Sequence, residues 1–214
     1  MTLNYWKQPL AAVPAEVWST PGVDTLILAD TGLAAVPERI GSLAALRTLD
    51  LGHNAIAALP DAIGDLAGLT DFLYVHDNRL TRLPDAIARL TRLQYLNVSD
   101  NPLEALPPEI GAMRGLVELR ADGCGLTSLP EAIGDLAALR YVTLRGNRVA
   151  RLPKTMARLR ALRQIDLRGN PLADWPAEIA DLPALEKLDL RWVDLPLAPP
   201  WVAALRARGC LVYG

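Results

Sequence analysis

The amino-acid sequence predicts an α/β solenoid, in which one unit of strand and helical turn is stacked repeatedly along an axis. The first observation is a proline period: nine prolines follow one another at intervals of 23 residues, with a single interval of 24. The second is a Leu-x-Leu pair, or a close variant, at a fixed place in each interval. A fixed period of this length indicates one repeated supersecondary unit. The prolines are Pro14, Pro37, Pro60, Pro84, Pro107, Pro130, Pro153, Pro176 and Pro199.

The Leu-x-Leu pairs predict short β-strands. In pairs such as Leu49 and Leu51, or Leu96 and Val98, apolar residues alternate with polar ones at a period of two. That is the pattern of a strand with one buried face. A single strand of this kind cannot bury its apolar side, whereas about eight of them, stacked in parallel, build a continuous core.

The segment after each proline predicts a short helical or 3-10 turn. Apolar residues stand three positions apart there, as Ile63 and Leu66 do in one unit and Ile133 and Leu136 in another. Proline fixes φ at a value that suits the start of a helix. Because these turns are wider than the strands opposite them, we expect a horseshoe with the sheet on its concave face.

The ends of a solenoid need caps, because the outermost units expose their core. We expect residues 1–22 to form a partial repeat that caps the N-terminal end, with Trp6 and Trp18 covering the exposed core. Residues 23–198 then form the repeats of one solenoid domain. Residues 199–214 form a C-terminal cap of one helix and one strand.

The unit that begins at Leu69 has 24 residues, and its strand can be read in two registers. Counting back from Asn78 puts Phe72 and Tyr74 on the concave face, whereas counting forward from Leu69 puts them in the core. A slip of one residue exchanges the two faces of a strand. We favour the first register because the core positions of the other units are aliphatic, and we expect a bulge at the extra residue.

The units resemble the leucine-rich repeat family. LQYLNVSDNPLEALPPEIGAMRG from Leu93 and LRQIDLRGNPLADWPAEIADLPA from Leu162 follow its pattern LxxLxLxxNxLxxLPxxIGxL, and the resemblance extends from about Leu10 to Leu205. The phrase LPxxIGxL is similar to that of intracellular Ras-group proteins and of many bacterial leucine-rich repeat proteins, including secreted effectors. The resemblance implies a right-handed leucine-rich repeat solenoid.

The resemblance also implies an asparagine ladder, in which inward-pointing side chains bond the backbone of adjacent turns. Sharp turns leave buried backbone groups that need such partners. Cys124 takes the equivalent position in one unit, and Thr31 and Val193 take it in the first and last. The ladder residues are Asn54, Asn78, Asn101, Asn147 and Asn170.

Composition narrows the class of protein. The net charge of −2 lacks the basic excess of a nucleic-acid-binding protein, and no apolar run has the length of a membrane span. Cys124 and Cys210 are the only cysteines and lie far apart in the stack, so we expect no disulfide and a reducing compartment. The cytoplasm of a bacterium fits, as does the host cytoplasm for a secreted bacterial effector.

The sequence indicates no catalytic, metal or cofactor site. His53 and His76, with Asp77 and Asp100 nearby, are zinc-ligand types, but they project from a flat sheet and lack evident closure. No nucleophile–base–acid set and no glycine-rich phosphate loop are present. We therefore expect a protein that is not an enzyme and has no cofactor.

Aromatic residues are concentrated on the expected concave face. The chain has one Phe and five Tyr, and three of these six residues lie there on adjacent strands. Aromatic side chains are frequent anchors of protein interfaces, although cross-strand packing that stiffens the sheet is the alternative. We take them, with neighbours that stand at the equivalent positions of the following strands, as candidate partner-binding residues: Phe72, Tyr74, Tyr95, Asn97, Arg120 and Tyr141.

An arginine column completes the candidate face. Arg145, Arg168 and Arg191 lie on successive strands, where like charges about 4.8 Å apart repel unless anions intervene. They either bind partner carboxylates or phosphates, or form a lattice with Asp166 and Asp189. Acidic residues dominate the N-terminal half of the face, which predicts a bipolar surface.

The function predicted is that of a non-catalytic protein–protein interaction module, a monomer that holds a protein partner on its concave face. The alternative is a structural or regulatory subunit that assembles with itself, or an effector-type scaffold that acts with a separate enzyme.

Overall fold

The computed structural model covers all 214 residues and shows one open parallel sheet. Its ten strands are hydrogen-bonded in sequence order, so β1 and the last strand form the two edges. The strands are β1 (Thr2–Asn4), β2 (Thr25–Ile27), β3 (Thr48–Asp50), β4 (Phe72–Tyr74), β5 (Tyr95–Asn97), β6 (Glu118–Arg120), β7 (Tyr141–Thr143), β8 (Gln164–Asp166), β9 (Lys187–Asp189) and β10 (Leu211–Tyr213).

Eight of the ten strands belong to the repeats, as expected, and β10 is the strand expected in the C-terminal cap; β1, from the N-terminal residues, is the additional one. Both pair in the register of the repeats, with Leu3 opposite Leu26 and Val212 opposite Leu188. A strand at the end of a stack has unpaired backbone groups on its open side. Each added strand satisfies the groups of the neighbouring repeat.

Eight 3-10 helices line the other side of the stack, and each follows one of the periodic prolines. In the unit of Pro60, that residue has φ −69° and its carbonyl accepts the Ile63 amide at 3.0 Å. The helices are Ala15–Trp18, Glu38–Ser42, Asp61–Asp65, Asp85–Arg89, Pro108–Ala112, Glu131–Asp135, Lys154–Arg158 and Ala177–Ile179. They pack so closely that a Cβ at Gly64 would lie 2.3 Å from the Ala86 carbonyl oxygen.

One continuous core of 58 buried residues runs between the sheet and the 3-10 helices. The central residue of each repeat strand points into it, as Leu49 and Leu96 do, while its two neighbours point outward. We call the outward side of the strands the sheet face; it corresponds to the concave face of the expected horseshoe. None of the helices has the length and apolar character needed to span a bilayer.

The 24-residue unit has the favoured register. Leu73 and Val75 are fully buried, and Phe72 is 41% exposed. The extra residue lies directly before β4. There the Gln94 amide bonds the Thr70 carbonyl and the Tyr95 amide bonds the Asp71 carbonyl. In the next unit the two corresponding amides bond a single carbonyl. The irregularity therefore leaves β4 itself in line with its neighbours.

The ends differ in part from expectation. Tyr5, which hydrogen-bonds Glu16, is buried at the N-terminal end, and Trp18 packs against the core. Trp6 does not cover the core; it is 57% exposed, with the Lys7 ammonium over its ring. Tyr5 precedes it at the position where the side chain turns inward, so the smaller ring closes this end.

At the C-terminal end, helix α1 (Pro200–Ala207) buries Val202 and Leu205 against the last repeat. Gly209, with φ +89°, follows the helix, and the chain then enters β10. The left-handed conformation that ends the helix here is one that glycine adopts without steric cost.

The five asparagines predicted as a ladder lie at the turns that follow the strands. In Asn147, the amide nitrogen donates to the carbonyls of Ala121 and Leu144, at 2.7 and 2.8 Å, and the oxygen accepts the amides of Cys124 and Leu126. The ladder therefore joins each unit to the preceding one through backbone groups that would otherwise be unpaired. The same donor pattern occurs at Asn54, Asn78, Asn101 and Asn170.

Cys124 takes the place of an asparagine but supplies only part of its function. Its thiol lies 3.3 Å from the Val98 carbonyl oxygen, yet it offers no amide oxygen to the preceding turn. The Leu103 amide bonds the Asn101 carbonyl instead, at 2.8 Å, and Glu104 adopts a left-handed φ of 58°. One missing acceptor thus changes the conformation of the turn before it.

Candidate partner-binding face

An aromatic patch, formed by Phe72, Tyr74 and Tyr95, covers the sheet face of β4 and β5. The Phe72 ring stacks on Tyr74 at 5.8 Å between centroids and tilts against Tyr95 at 5.5 Å. The two tyrosine rings are 5.0 Å apart. Residue alternation places all three on the outer side of the strands, and their mutual contacts hold them as one surface.

The tyrosines of the patch are partly withdrawn from water. Burial raises the pKa of Tyr95 to about 12, and burial, followed by the nearby Asp50 carboxylate, raises the pKa of Tyr74. The Arg120 guanidinium lies over the Tyr95 ring at 5.6 Å and pairs with Glu118 at 2.6 Å. Both hydroxyls are therefore neutral at physiological pH, and the patch carries no charge of its own.

Two further candidates lie beside the patch. The Asn97 side-chain oxygen accepts the Ser99 amide at 3.1 Å, so part of this residue stabilises its own strand end. Tyr141 lies two strands from Tyr95 and lines a hollow of about 270 Å³ on β6–β9. The predicted aromatic concentration is therefore a cluster of three rings, with Tyr141 in a separate depression.

The arginine column divides into paired and unpaired members. Arg168 makes a bidentate contact with Asp166, through Nε at 2.9 Å and Nη2 at 2.5 Å. Arg191 contacts the fully buried Asp189 at 2.7 Å. Two of the three arginines thus belong to the charge lattice that was the alternative interpretation.

Arg145 is exposed, and its side chain forms no salt bridge. Its backbone amide donates to Asp122 at 2.7 Å, while burial raises the pKa of that carboxyl group. Arg145 is therefore the member of the column that is free to bind an external anion.

An aromatic pair at the C-terminal end was not among the binding residues predicted from the sequence. Trp192 is 75% exposed and lies 5.9 Å from the Arg191 guanidinium, and Tyr213 lies 5.4 Å from the same group. Trp192 has a left-handed φ of 63° at a position where three other units have glycine. That placement was the available signal, since a bulky residue is strained in this conformation.

Histidines and acids extend the patch toward the N-terminal half. The Tyr74 ring contacts His76, whose ring in turn lies edge-on to His53. His53 Nδ1 lies 2.6 Å from Asp77 Oδ2. No three side chains of the types His, Cys, Asp and Glu come together in a geometry that would hold a metal ion.

The repeats identify the family. The family model described as Leucine Rich Repeat matches residues 92–113. A leucine-rich repeat protein of Leptospira interrogans superimposes on the entire chain, with a TM-score of 0.89 and 28% identity, over 54% of its own length. The chain is a leucine-rich repeat protein.

Other leucine-rich repeat structures match most of its length. The plant peptide hormone receptor RGFR1, in complex with RGF2, is 26% identical over 90% of this chain and 32% of the receptor chain, with a TM-score of 0.75. An internalin from Listeria monocytogenes, 17% identical, shares the fold with a TM-score of 0.71 over 95% of this chain and 64% of its own. This leucine-rich repeat protein spans about half of the Leptospira chain and less of the receptor. None of the curated proteins matches it significantly in sequence.

Proposed function

We propose that this leucine-rich repeat protein is a non-catalytic module that binds a protein partner on its sheet face. The observation that carries the proposal is the aromatic patch of Phe72, Tyr74 and Tyr95. Their strands are already fixed by the buried residues between them, so folding gives no reason for aromatic rings on the outer side. Aromatic clusters that stay partly exposed on a surface are typical anchors of interfaces.

The relatives support a protein ligand. The RGFR1 structure contains RGF2. A receptor kinase ectodomain of Arabidopsis thaliana, GASSHO1/SCHENGEN3, shares the fold and is in complex with Casparian strip integrity factor 2. It is 23% identical, with a TM-score of 0.77 over 96% of this chain and 26% of its own. We assign the same general use, the holding of a protein or peptide, to this sheet face.

The test uses the chain as bait in a lysate of the source cell, alongside the double variant Tyr74→Ala/Tyr95→Ala. Once a partner is purified, calorimetry should show that the double variant binds it more weakly by about 2 kcal/mol or more, which is the magnitude of a hot spot. The variant should melt near the wild-type temperature, because neither ring lies in the core. Arg82→Ala, at an exposed residue outside the strands that lines a hollow with Asp85 and Glu109, serves as the control and should bind normally.

A different result would refute the patch as a binding site. If the double variant melts much lower while its folded fraction binds the partner with unchanged affinity, the rings are packing groups that stiffen the sheet. Retention of full affinity in a stable double variant would place the partner on another surface.

Self-assembly is the second candidate function, and the edge strand β10 favours it. Leu211 and Tyr213 of this strand are 56% and 41% exposed, and one side of the strand has no hydrogen-bonded neighbour. Free edges of this kind can pair with another chain. We propose a monomer nevertheless, because the strand has only three residues; light scattering that gives a dimer, lost in Leu211→Lys, would support self-assembly instead.

We also propose a cytoplasmic site of action, in a bacterium or, for a secreted effector, in its host cell. Cys124 and Cys210 are both buried and unpaired, which suits a reducing compartment. Fractionation of the source cell with an antibody against the chain tests this assignment, and recovery from the periplasm or outer surface would contradict it.

A further inference from the structure

The chain has only two histidines, and the structure brings their ring nitrogens together. His53 Nε2 and His76 Nε2 are 3.2 Å apart, and the rings are nearly perpendicular, at 81°. Two imidazole nitrogens, each about 2.0–2.1 Å from one tetrahedral ion, lie about 3.3 Å from each other. Without an ion, one ring donates an N–H···N hydrogen bond to the other across this distance; the same separation suits two ligands of one metal ion.

Asp77 orients the first histidine. Its Oδ2 lies 2.6 Å from His53 Nδ1, which fixes a proton on that nitrogen. The lone pair of His53 is then on Nε2, the atom that faces His76. Histidines that bind metals are commonly held in this way, with the second nitrogen bonded to a carboxylate.

The backbone accommodates both rings at some cost. The His76 ring lies over Gly52, where a Cβ would come within 2.4 Å of His76 Cε1. Only glycine at residue 52 therefore leaves room for the ring. His53 has a left-handed φ of 54°, at a position where most other units have Asp or Gly. Those residues suit the conformation at least as well, so backbone stability does not explain the choice of histidine here.

The charge around His53 suits a hydrated cation. An open hollow of about 450 Å³ adjoins His53 but does not reach His76, and Asp30 and Asp77 line it together with Lys7. The His53 side chain is 54% exposed, so water can supply ligands that the protein does not. The surrounding carboxylates of the N-terminal half favour a positive ion.

We propose that His53 and His76 form a two-histidine site for a borderline divalent transition-metal ion, with Asp77 as its second-shell carboxylate and water in the remaining positions. Imidazole ligands select Cu²⁺, Ni²⁺ and Zn²⁺ over Mg²⁺ and Ca²⁺, and Cu²⁺ binds most tightly of these. When Nε2 of His76 holds the ion, its proton lies on Nδ1, which is buried without a partner. That cost lowers the affinity of the site.

Calorimetric titration of the full chain with CuSO₄ and with ZnCl₂ tests the site. We expect one ion per chain, tighter binding of Cu²⁺, and no heat from MgCl₂. The variant His76→Ala should lose at least tenfold in affinity, and Asp77→Asn should lose about 10–100-fold, as second-shell changes do. Electron paramagnetic resonance of the Cu²⁺ form should show hyperfine splitting from two imidazole nitrogens.

Two controls keep the result specific. The double variant His53→Ala/His76→Ala lacks both proposed ligands, so any ion that it still binds is held elsewhere, as by the terminal amine. Circular dichroism checks that this variant folds. Gly52→Ala keeps both histidines but displaces the His76 ring, so it should also weaken binding. The proposal is overturned if the wild type takes up no ion, if His76→Ala or Gly52→Ala binds as tightly as the wild type, or if the spectrum lacks imidazole nitrogen.

Discussion

Single amide side chains connect neighbouring units of this fold. Asn101 donates to the carbonyls of Val75 and Val98, at 3.0 and 2.9 Å, and accepts the amide of Leu80 at 2.9 Å. Asn101→Leu leaves these buried backbone groups without partners. We expect it to lower the free energy of unfolding by about 1–3 kcal/mol, measured as a lower urea midpoint.

Asn97→Leu is the matched control for that variant. Asn97 lies on the sheet face, half-buried, and its side-chain oxygen accepts one amide of its own strand end. Its loss should change the midpoint much less. Equal midpoints for the two variants would show that the ladder position has no special role in stability.

The Cys124 thiol makes stability depend on alkaline pH. Burial raises its pKa from 9.0 to about 11, so between these values the folded chain keeps a proton that the unfolded chain has lost. Stability therefore falls as pH rises through this window. Urea midpoints from pH 8 to 11 should decline in the wild type and decline less in Cys124→Ala, which retains Cys210; parallel declines would refute the assignment.

At the scale of the element, the 24-residue unit shows that an insertion can leave a strand unchanged. The extra residue lies at Thr70–Asp71, before β4, and the register from Phe72 onward matches both neighbours. Deletion of Thr70 restores the 23-residue period and keeps the Arg47–Asp71 pair. We expect a change in unfolding free energy within about 0.5 kcal/mol, the range of surface changes.

Exposure of the aromatic patch provides the second measurement on the Thr70 deletion. Tyrosine fluorescence quenching by acrylamide should match that of the wild type, since β4 keeps its register. A large loss of stability, or shielding of the tyrosines, would show that the insertion instead sets the direction of the β4 side chains.

The elements could be predicted from the sequence because each depends on local pattern. Leu-x-Leu pairs define the strands, the prolines begin the 3-10 helices, and the aliphatic core columns resolve the register at Phe72. The turn at Leu103 could not be predicted in this way, because its conformation depends on Cys124 in the following unit. The sequence Asn-Pro-Leu also occurs at Asn170, and the ladder position of the following unit is again not asparagine but Val193. There too the Leu172 amide bonds the Asn170 carbonyl, at 2.9 Å.

The candidate site was less predictable, because it depends on side-chain rotamers. The repeat spacing predicts that Arg168 and Arg191 share one face. Whether a long side chain then reaches an internal carboxylate or solvent depends on torsions that spacing does not specify. The same limit applies to the separation of the histidine nitrogens. Trp6 was expected to cover the core at the N-terminal end. It points outward instead, because Tyr5 directly before it points inward.

On the scale of the whole molecule, charge is distributed unevenly along the sheet face. Acids such as Asp50 and Asp100 belong to the N-terminal half, and the unpaired Arg145 belongs to the other. A bipolar surface orients a complementary partner during encounter. Once a partner is purified, Arg145→Glu should slow its association and alter the salt dependence of the rate, with little change in melting temperature.

Arg168→Glu is the comparison for Arg145→Glu in stopped-flow measurements. It removes the contact to Asp166 and places a third carboxylate beside Asp166 and Asp189, so it should lower the melting temperature. If Arg145→Glu leaves the association rate unchanged at low salt, the basic end of the face does not meet the partner.

The stack should also lose stability locally when one end is removed. In a solenoid each unit contacts only its neighbours, so deletion of residues 199–214 removes α1 and β10 from the last repeat alone. Amides that bond this cap, such as that of Leu190, which donates to the Tyr213 carbonyl at 2.7 Å, should exchange hydrogen faster. Exchange near Leu49, six strands away from β9, should keep its wild-type rate under native conditions. Mass spectrometry of the two chains measures both regions, and a uniform loss of protection would show that the ten strands unfold as one cooperative unit.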